Sequence, residues 1–263
     1  MSHETQASMV IMKKFSIALL PGDGIGQEVV PAARRVLEKA AAGSEVRFSS
    51  EEFDWGADHY FRTGQMMPLD ALDRLRQHDA ILLGAVGHPD IPDHTTLNGM
   101  LLPIRRAFDL YVNERPAYLY QGVESPLKNY GPGQIDLVVV RENTEGEYAN
   151  IGGYLYHHQP EEVAVQTSVF TRHGCERIIR YAFEYARRRN RQRKVASITK
   201  SNAQGYSMVL WDRVFREVAL EFPDIETESL LVDAAAMNFV RRPASFDVVV
   251  GSNLFGDILS DLS

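Results

Sequence analysis

Two aspartates near the end of the chain stand four residues apart, Asp257 and Asp261 in the run Asn253-Leu254-Phe255-Gly256-Asp257-Ile258-Leu259-Ser260-Asp261. On a helix that spacing puts both on one face, one turn apart. Carboxylates so close repel unless protons or a cation neutralise them. An oxygen-only donor pair favours Mg2+ or Mn2+ over softer metals. The plain alternative is that both acids favour the positive N-terminal end of a helix, and spacing alone leaves both readings open.

Basic residues suggest an anionic substrate. Arg141 closes the apolar run 137–140, and Lys200 closes the run 195–199. A cation at the C-terminal end of a buried strand faces the crevice where α/β proteins bind ligands. Arg105 and Arg106 follow a polar stretch, and Arg115 precedes Pro116. Planar guanidinium groups grip carboxylates through paired hydrogen bonds. Solvation is the simpler explanation for any one of these arginines, and it is weakest for Arg141 because the preceding residues are so apolar. The basic run 187–194 reads as a solvated turn at a helix C-terminus.

Leu20-Pro21-Gly22-Asp23-Gly24-Ile25-Gly26 joins a first apolar run to a first amphipathic one. Its third glycine comes one residue too early for the dinucleotide fingerprint, and no acid follows convincingly after a second strand. A tight strand–helix turn is the preferred reading.

The elements that must position these groups alternate along the chain. Residues 15–20, 80–83, 137–140, 195–199 and 247–250 read as buried strands, and 27–42 as a helix. Two further helices are marked by apolar faces: Cys175, Ile178, Ile179, Ala182, Phe183 and Ala186 on one, and Met208, Trp211, Phe215, Val218 and Phe222 on the other. The alternation predicts an α/β fold with a largely parallel sheet. Residues 91–100 read as a polar loop. Residues 148–168, rich in Gly, Tyr and His, read as a projecting β-hairpin arm of the kind that clasps a second subunit.

The chain has 263 residues, 44% of them hydrophobic, enough for a sizeable core. A net charge of -7 argues against nucleic-acid or membrane-surface partners. The single cysteine, Cys175, excludes an intrachain disulfide. The first 14 residues are mostly polar, with neither a signal-peptide core nor a membrane span, and a cytoplasmic enzyme is expected.

Taken together, LLPGDGIG, VVVRENTEGEY, TKSN, LVDAAAMNFV and NLFGDILSDL, in this order, resemble the metal-dependent β-decarboxylating dehydrogenases. That family includes the isopropylmalate, isocitrate, homoisocitrate and tartrate/D-malate dehydrogenases. Residues 92–102 with RENTEGEY look most like the tartrate/D-malate branch. The resemblance implies a two-domain α/β fold with a mixed, largely parallel sheet and a projecting β arm at about 148–168, incomplete at the C-terminus. The first, cofactor-side domain is expected to comprise 1–109 plus 251–263, and the dimerisation and substrate domain 110–250.

By motif, Arg105, Arg115 and Arg141 match the substrate-carboxylate arginines, and Tyr148 and Lys200 the catalytic tyrosine and lysine. Asp233, Asp257 and Asp261 match the metal ligands, with Asp233 also beside the substrate. Ile25 and Asn202 match cofactor contacts. The implied activity is NAD-dependent oxidative decarboxylation of a malate-like 2-hydroxy acid with Mg2+ or Mn2+. The implied assembly is a homodimer whose Lys200 and Asp233 enter the neighbour's site. Isopropylmalate or isocitrate dehydrogenase is the alternative activity, and a non-catalytic homologue or inactive gene fragment the alternative class. The sequence departs from the branch at Asn98, where tryptophan is usual, and the family continues for roughly another hundred residues beyond Ser263. A protein confined to these residues is expected to hold NAD and metal poorly.

Overall fold

The computed structural model describes residues 12–263. The N-terminal reading therefore concerns, up to Ile11, residues outside those described. The chain forms two compact units, one ending at Phe108 and one covering Asp109–Ser263.

The first unit runs β1 (Lys13–Gly22), α1 (Gly26–Ala41), β2 (Val46–Glu52), α2 (Ala57–Thr63), α3 (Ala71–Leu75) and β3 (Ala80–Ala85). It closes with α4 (Asp93–Thr96), a turn of π-helix (Leu97–Leu101) and α5 (Leu102–Ala107). Its three strands are parallel in the order β2-β1-β3. Central β1 alternates between two cores. Ala18 and Leu20 pack with Phe53, Trp55 and Met100, while Ile17 and Leu19 pack with Val30 of α1. Burial on both faces explains why residues 15–20 read as a continuous apolar run.

Residues 91–100 are a correction, because the segment is helical rather than a loop. Ile91, Met100 and Ile104 are buried. These inward positions are thinly spread among poor helix formers such as Thr95, Thr96, Asn98 and Gly99, which hid the period. The wide turn brings Gly99 so close to Met66 that a Cβ would lie 2.8 Å from its Cγ.

The second unit runs β4 (Val112–Tyr118), β5 (Asp136–Glu142), β6 (Gly146–Leu155), β7 (Val163–Val169), α6 (Arg172–Arg189), β8 (Lys194–Thr199) and α7 (Ser207–Ala219). It continues through β9 (Glu226–Leu231), α8 (Val232–Arg241), β10 (Val248–Gly251) and α9 (Asn253–Leu262). The sheet order is β4-β5-β10-β8-β9, parallel except for the edge strand β4. The fold is thus α/β with mixed, mostly parallel sheets. The last strand in sequence, with Val248, Val249 and Val250 fully buried, lies at the centre.

The α6 face forecast from spacing is buried throughout. On α7, Met208, Trp211, Phe215 and Val218 are buried as forecast. Phe222 lies beyond the helix yet still stacks on Phe183, with ring centroids 5.0 Å apart. Trp211 donates its indole N–H to Ser197 Oγ at 2.9 Å, which satisfies its one polar group in the core.

Residues 251–263, assigned from the sequence to the first domain, here pack within the second unit: Phe255 and Leu259 of α9 join its core. β6 and β7 form an antiparallel hairpin, as read from the sequence. Along it Ile151, Tyr154, Leu155, Val163 and Val165 are exposed. Among the described residues, no helix is long and apolar enough to cross a membrane.

Candidate active site

Because β5, β10, β8 and β9 are parallel, their C-terminal ends line one edge of the sheet. Arg141 lies near the end of β5, in register with Gly251 of β10. Lys200 directly follows β8, and Asp233 lies in the first turn of α8, which leaves β9. Asn253 and Asp257 belong to α9, which leaves β10 after the N-cap Ser252.

Arg141 is the most enclosed charged group among them, at 3% exposure. Its Nε and Nη2 donate to Asn253 Oδ1 at 3.0 and 2.7 Å. Its Nη1 donates to Asp257 Oδ1, so three of its five N–H groups are engaged. The Tyr148 hydroxyl donates to the other oxygen of Asp257 at 2.8 Å, and the guanidinium lies 5.3 Å from the centroid of the Tyr148 ring. Burial lowers the pKa of Arg141, partly offset by Asp257 and Tyr148, while the like charge of Arg115 pushes the same way as burial. Burial raises that of Tyr148, and donation to Asp257 adds to the shift, so the phenol keeps its proton.

The backbone is shaped to this cluster. Gly256 passes beneath Arg141, and a Cβ there would lie 2.6 Å from Arg141 Cβ. Glu147 accepts from Ser252 Oγ at 2.8 Å and from the Leu254 N–H at 3.1 Å, anchoring the start of α9. Asn253 also donates to the Glu145 carbonyl at 3.0 Å, tying the helix to the segment that carries Tyr148.

The other forecast residues are spread over both units. Lys200 and Asp233 form their own ion pair at 2.5 Å, and the lysine holds the carboxyl below its usual range. Arg115, on β4, donates to Asn113 Oδ1 at 3.1 Å. Asn202 is exposed in the turn after Lys200, and Asp261 is exposed on α9. In the first unit, Arg105 is half-buried in the last turn of α5, Ile25 is 60% exposed, and Asn98 donates to the His94 carbonyl at 2.7 Å.

The three forecast metal aspartates supply only oxygen donors, which suits Mg2+ or Mn2+. They do not gather within one chain: among the described residues, the one group of three closely spaced potential ligands lies elsewhere.

The glycine loop is closed on itself. The N–H groups of Gly26 and Gln27 bind the carbonyls of Asp23 and Gly24 at 2.9 and 3.1 Å. Asp23 turns inward and accepts from the N–H of Ala57 at 2.7 Å and of Gly87 at 2.8 Å. This is the tight turn preferred from the sequence.

A sequence model described as isocitrate/isopropylmalate dehydrogenase matches residues 16–263. The chain belongs to the isocitrate/isopropylmalate dehydrogenase family. Within that family, it is 49% identical over 254 residues to D-malate dehydrogenase [decarboxylating] of Escherichia coli (strain K12), covering 96% of this chain and 70% of that one. It is 48% identical over 251 residues to tartrate dehydrogenase/decarboxylase of Pseudomonas putida, covering 94% of this chain and 68% of that one. The crystal structure of isocitrate dehydrogenase from Methylococcus capsulatus matches with a TM-score of 0.80 at 38% identity, covering 94% of this chain and 69% of that one.

Sequence reading of this family member missed Asn253, Glu147, Gly256 and Asp23 as supports. Asn253 carried a usable signal, since a polar side chain directly after a buried strand must find partners. Gly256 and Asp23 carried none, because their partners are distant in sequence.

Proposed function

We propose that this chain is an NAD-dependent dehydrogenase that oxidises and decarboxylates a malate-like 2-hydroxy acid of the tartrate or D-malate type, using a divalent metal. The observation that carries the reading is the mutual contact of Arg141, Tyr148 and Asp257, on the same sheet edge as the Lys200–Asp233 pair. Family membership supports the reaction class. The higher identity to the tartrate and D-malate enzymes than to the isocitrate enzyme supports the branch. The intact set of arginines, tyrosine, lysine and aspartates argues against a non-catalytic homologue.

In this reading Arg105, Arg115 and Arg141 hold the substrate carboxylates, aligning the bond that breaks with the neighbouring carbonyl π-system. The partner subunit's Lys200, once its ammonium has given up a proton, would accept the proton of the C2 hydroxyl. Tyr148, kept protonated by burial and by Asp257, returns a proton to C3 after carbon dioxide leaves. Asp257 and Asp261, with the partner subunit's Asp233, would hold Mg2+ or Mn2+, which supplies Lewis acidity toward the substrate oxygens. The exposed Ile25 and Asn202 suit contacts to NAD, which accepts hydride. Lys200 and Asp233 would serve the neighbouring subunit's site, with the exposed arm as part of the dimer contact.

The test is kcat/KM of the full-length protein across D-malate, tartrate, isopropylmalate, isocitrate and lactate, with and without Mn2+ and chelator. The expected result is metal-dependent preference for D-malate or tartrate. Preference for lactate, which has no β-carboxylate, or full activity in chelator would overturn the reading. Mixing Arg141→Ala with Lys200→Ala chains tests the shared site, because one site of a mixed dimer keeps both residues. Inactive mixed dimers would place the site within one subunit.

A further inference from the structure

The hairpin arm carries a second group of metal-ligating side chains that the dehydrogenase chemistry does not use. His157, His158 and Glu162 lie in the turn between β6 and β7, and their ligand atoms fall within 4.8 Å of one another. All three residues are exposed, so the cluster is not a by-product of core packing. Consecutive side chains on an extended strand point to opposite faces. Here Tyr156 and His158 take left-handed φ values of 51° and 63°, and the two imidazoles lie side by side with centroids 3.7 Å apart. His157 Nδ1 meets Glu162 Oε1, and the centroid of the Tyr154 ring lies 4.4 Å from that of His157. Backbone bonds from Gln159 N–H to Tyr156 O at 2.9 Å and from Glu162 N–H to Gln159 O at 3.0 Å hold the turn. Left-handed backbone at non-glycine residues costs energy, and it often accompanies functional sites.

We propose that the tip of this arm binds a divalent transition-metal ion, Zn2+ or a close relative, through His157, His158 and Glu162. Imidazole nitrogen with one carboxylate oxygen suits Zn2+, Ni2+ or Cu2+. It contrasts with the oxygen-only aspartates proposed for the reaction, so the two sites differ in metal preference. Zinc accepts imidazole at about 2.0–2.1 Å and carboxylate at about 2.0–2.2 Å. Modest rotations about side-chain torsions draw the three donors to those distances, because the terminal torsions of His and Glu are soft. Three protein ligands leave a coordination position for water or for a donor from another molecule. The bound ion bridges the turn at both ends and stiffens an arm that otherwise has two strands and little core.

Calorimetric titration of Zn2+ into the protein, in buffer already saturated with Mg2+, tests the site. The wild type should bind one ion per chain. The His157→Ala/His158→Ala double variant should lose that event while keeping its circular dichroism spectrum, since the removed side chains are exposed. Glu162→Gln should weaken binding by roughly tenfold or more. Titration with Co2+ gives a second readout, visible d–d absorption present in the wild type and absent in the double variant. No Zn2+ binding by the wild type, or unchanged binding and Co2+ spectra in the double variant, would overturn the proposal. These outcomes do not depend on dehydrogenase activity, so the arm site and the catalytic reading fail separately.

Discussion

Two carboxylates each stand just beyond a buried parallel strand and differ in what they hold. Asp23, after β1, accepts backbone N–H groups from Ala57 and Gly87. Asp257, in the helix after β10, accepts from the side chains of Arg141 and Tyr148. Backbone donors cannot leave without moving the segments that carry them, so Asp23 is committed to architecture. Side-chain donors can rotate toward a substrate or yield to a cation, so Asp257 remains exchangeable. The same residue type in similar strand–helix surroundings is structural in one place and a candidate for chemistry in the other, and the partner's mobility separates them.

The largest expected effect lies on the exchangeable side. Asp257→Asn keeps an acceptor for Arg141 but removes the carboxylate charge paired with it and weakens the metal set. Its kcat should fall by roughly 10²–10³-fold with little change in urea midpoint. A variant with full activity would erase the contrast. Asp23→Ala should do the reverse. Removing an acceptor of two charge-assisted hydrogen bonds should cost about 3 kcal/mol in chemical unfolding, with kcat of the folded fraction unchanged. A loss of kcat without loss of stability would make Asp23 a reactive group after all.

Smaller effects sharpen the picture. Gly256→Ala pushes a methyl group against Arg141, at a cost of about 1–3 kcal/mol, offset by the ~1 kcal/mol alanine gains over glycine in a helix. Stability should therefore change little while KM rises as Arg141 shifts; an unchanged KM would detach Arg141 from substrate binding.

The smallest effect is a pH slope. Burial holds Glu145 above its ordinary value of 4.5, against the bonds it accepts from Thr171. The folded state then binds that proton more tightly than the unfolded one, so this group's contribution declines as pH rises from about 4.5 through the folded value. Glu145→Gln should flatten that decline in unfolding measurements between about pH 4 and 7. A slope unchanged in the variant would assign it to other groups.

What the sequence disclosed follows the range of the physical signal. Burial on both faces writes itself into neighbouring residues, so residues 15–20, 137–140 and 195–199 were legible as strands, as was the face of α6. Strands with no buried residue, such as β2 and β9, carry no continuous apolar run and were not singled out. The segment 91–100 was misread because its inward residues are few. Arg141, Lys200 and Asp257 were visible at strand ends or at helical spacing. Their pairing was not, because Arg141 meets Asp257 across more than a hundred residues of chain, and only the register of β5 with β10 determines it.

That register sets an order of events during synthesis. The middle of the larger sheet is reserved for Val248–Gly251, which leaves the ribosome after both strands that flank it. Until then β5 and β8 have no common neighbour to pair with, and Arg141 has neither Asn253 nor Asp257 to receive it. A nascent chain at that stage carries an uncompensated guanidinium beside an open apolar seam, a state open to mispairing and to chaperone capture. The candidate catalytic edge therefore forms only once Val248–Gly251 slots into the gap between β5 and β8.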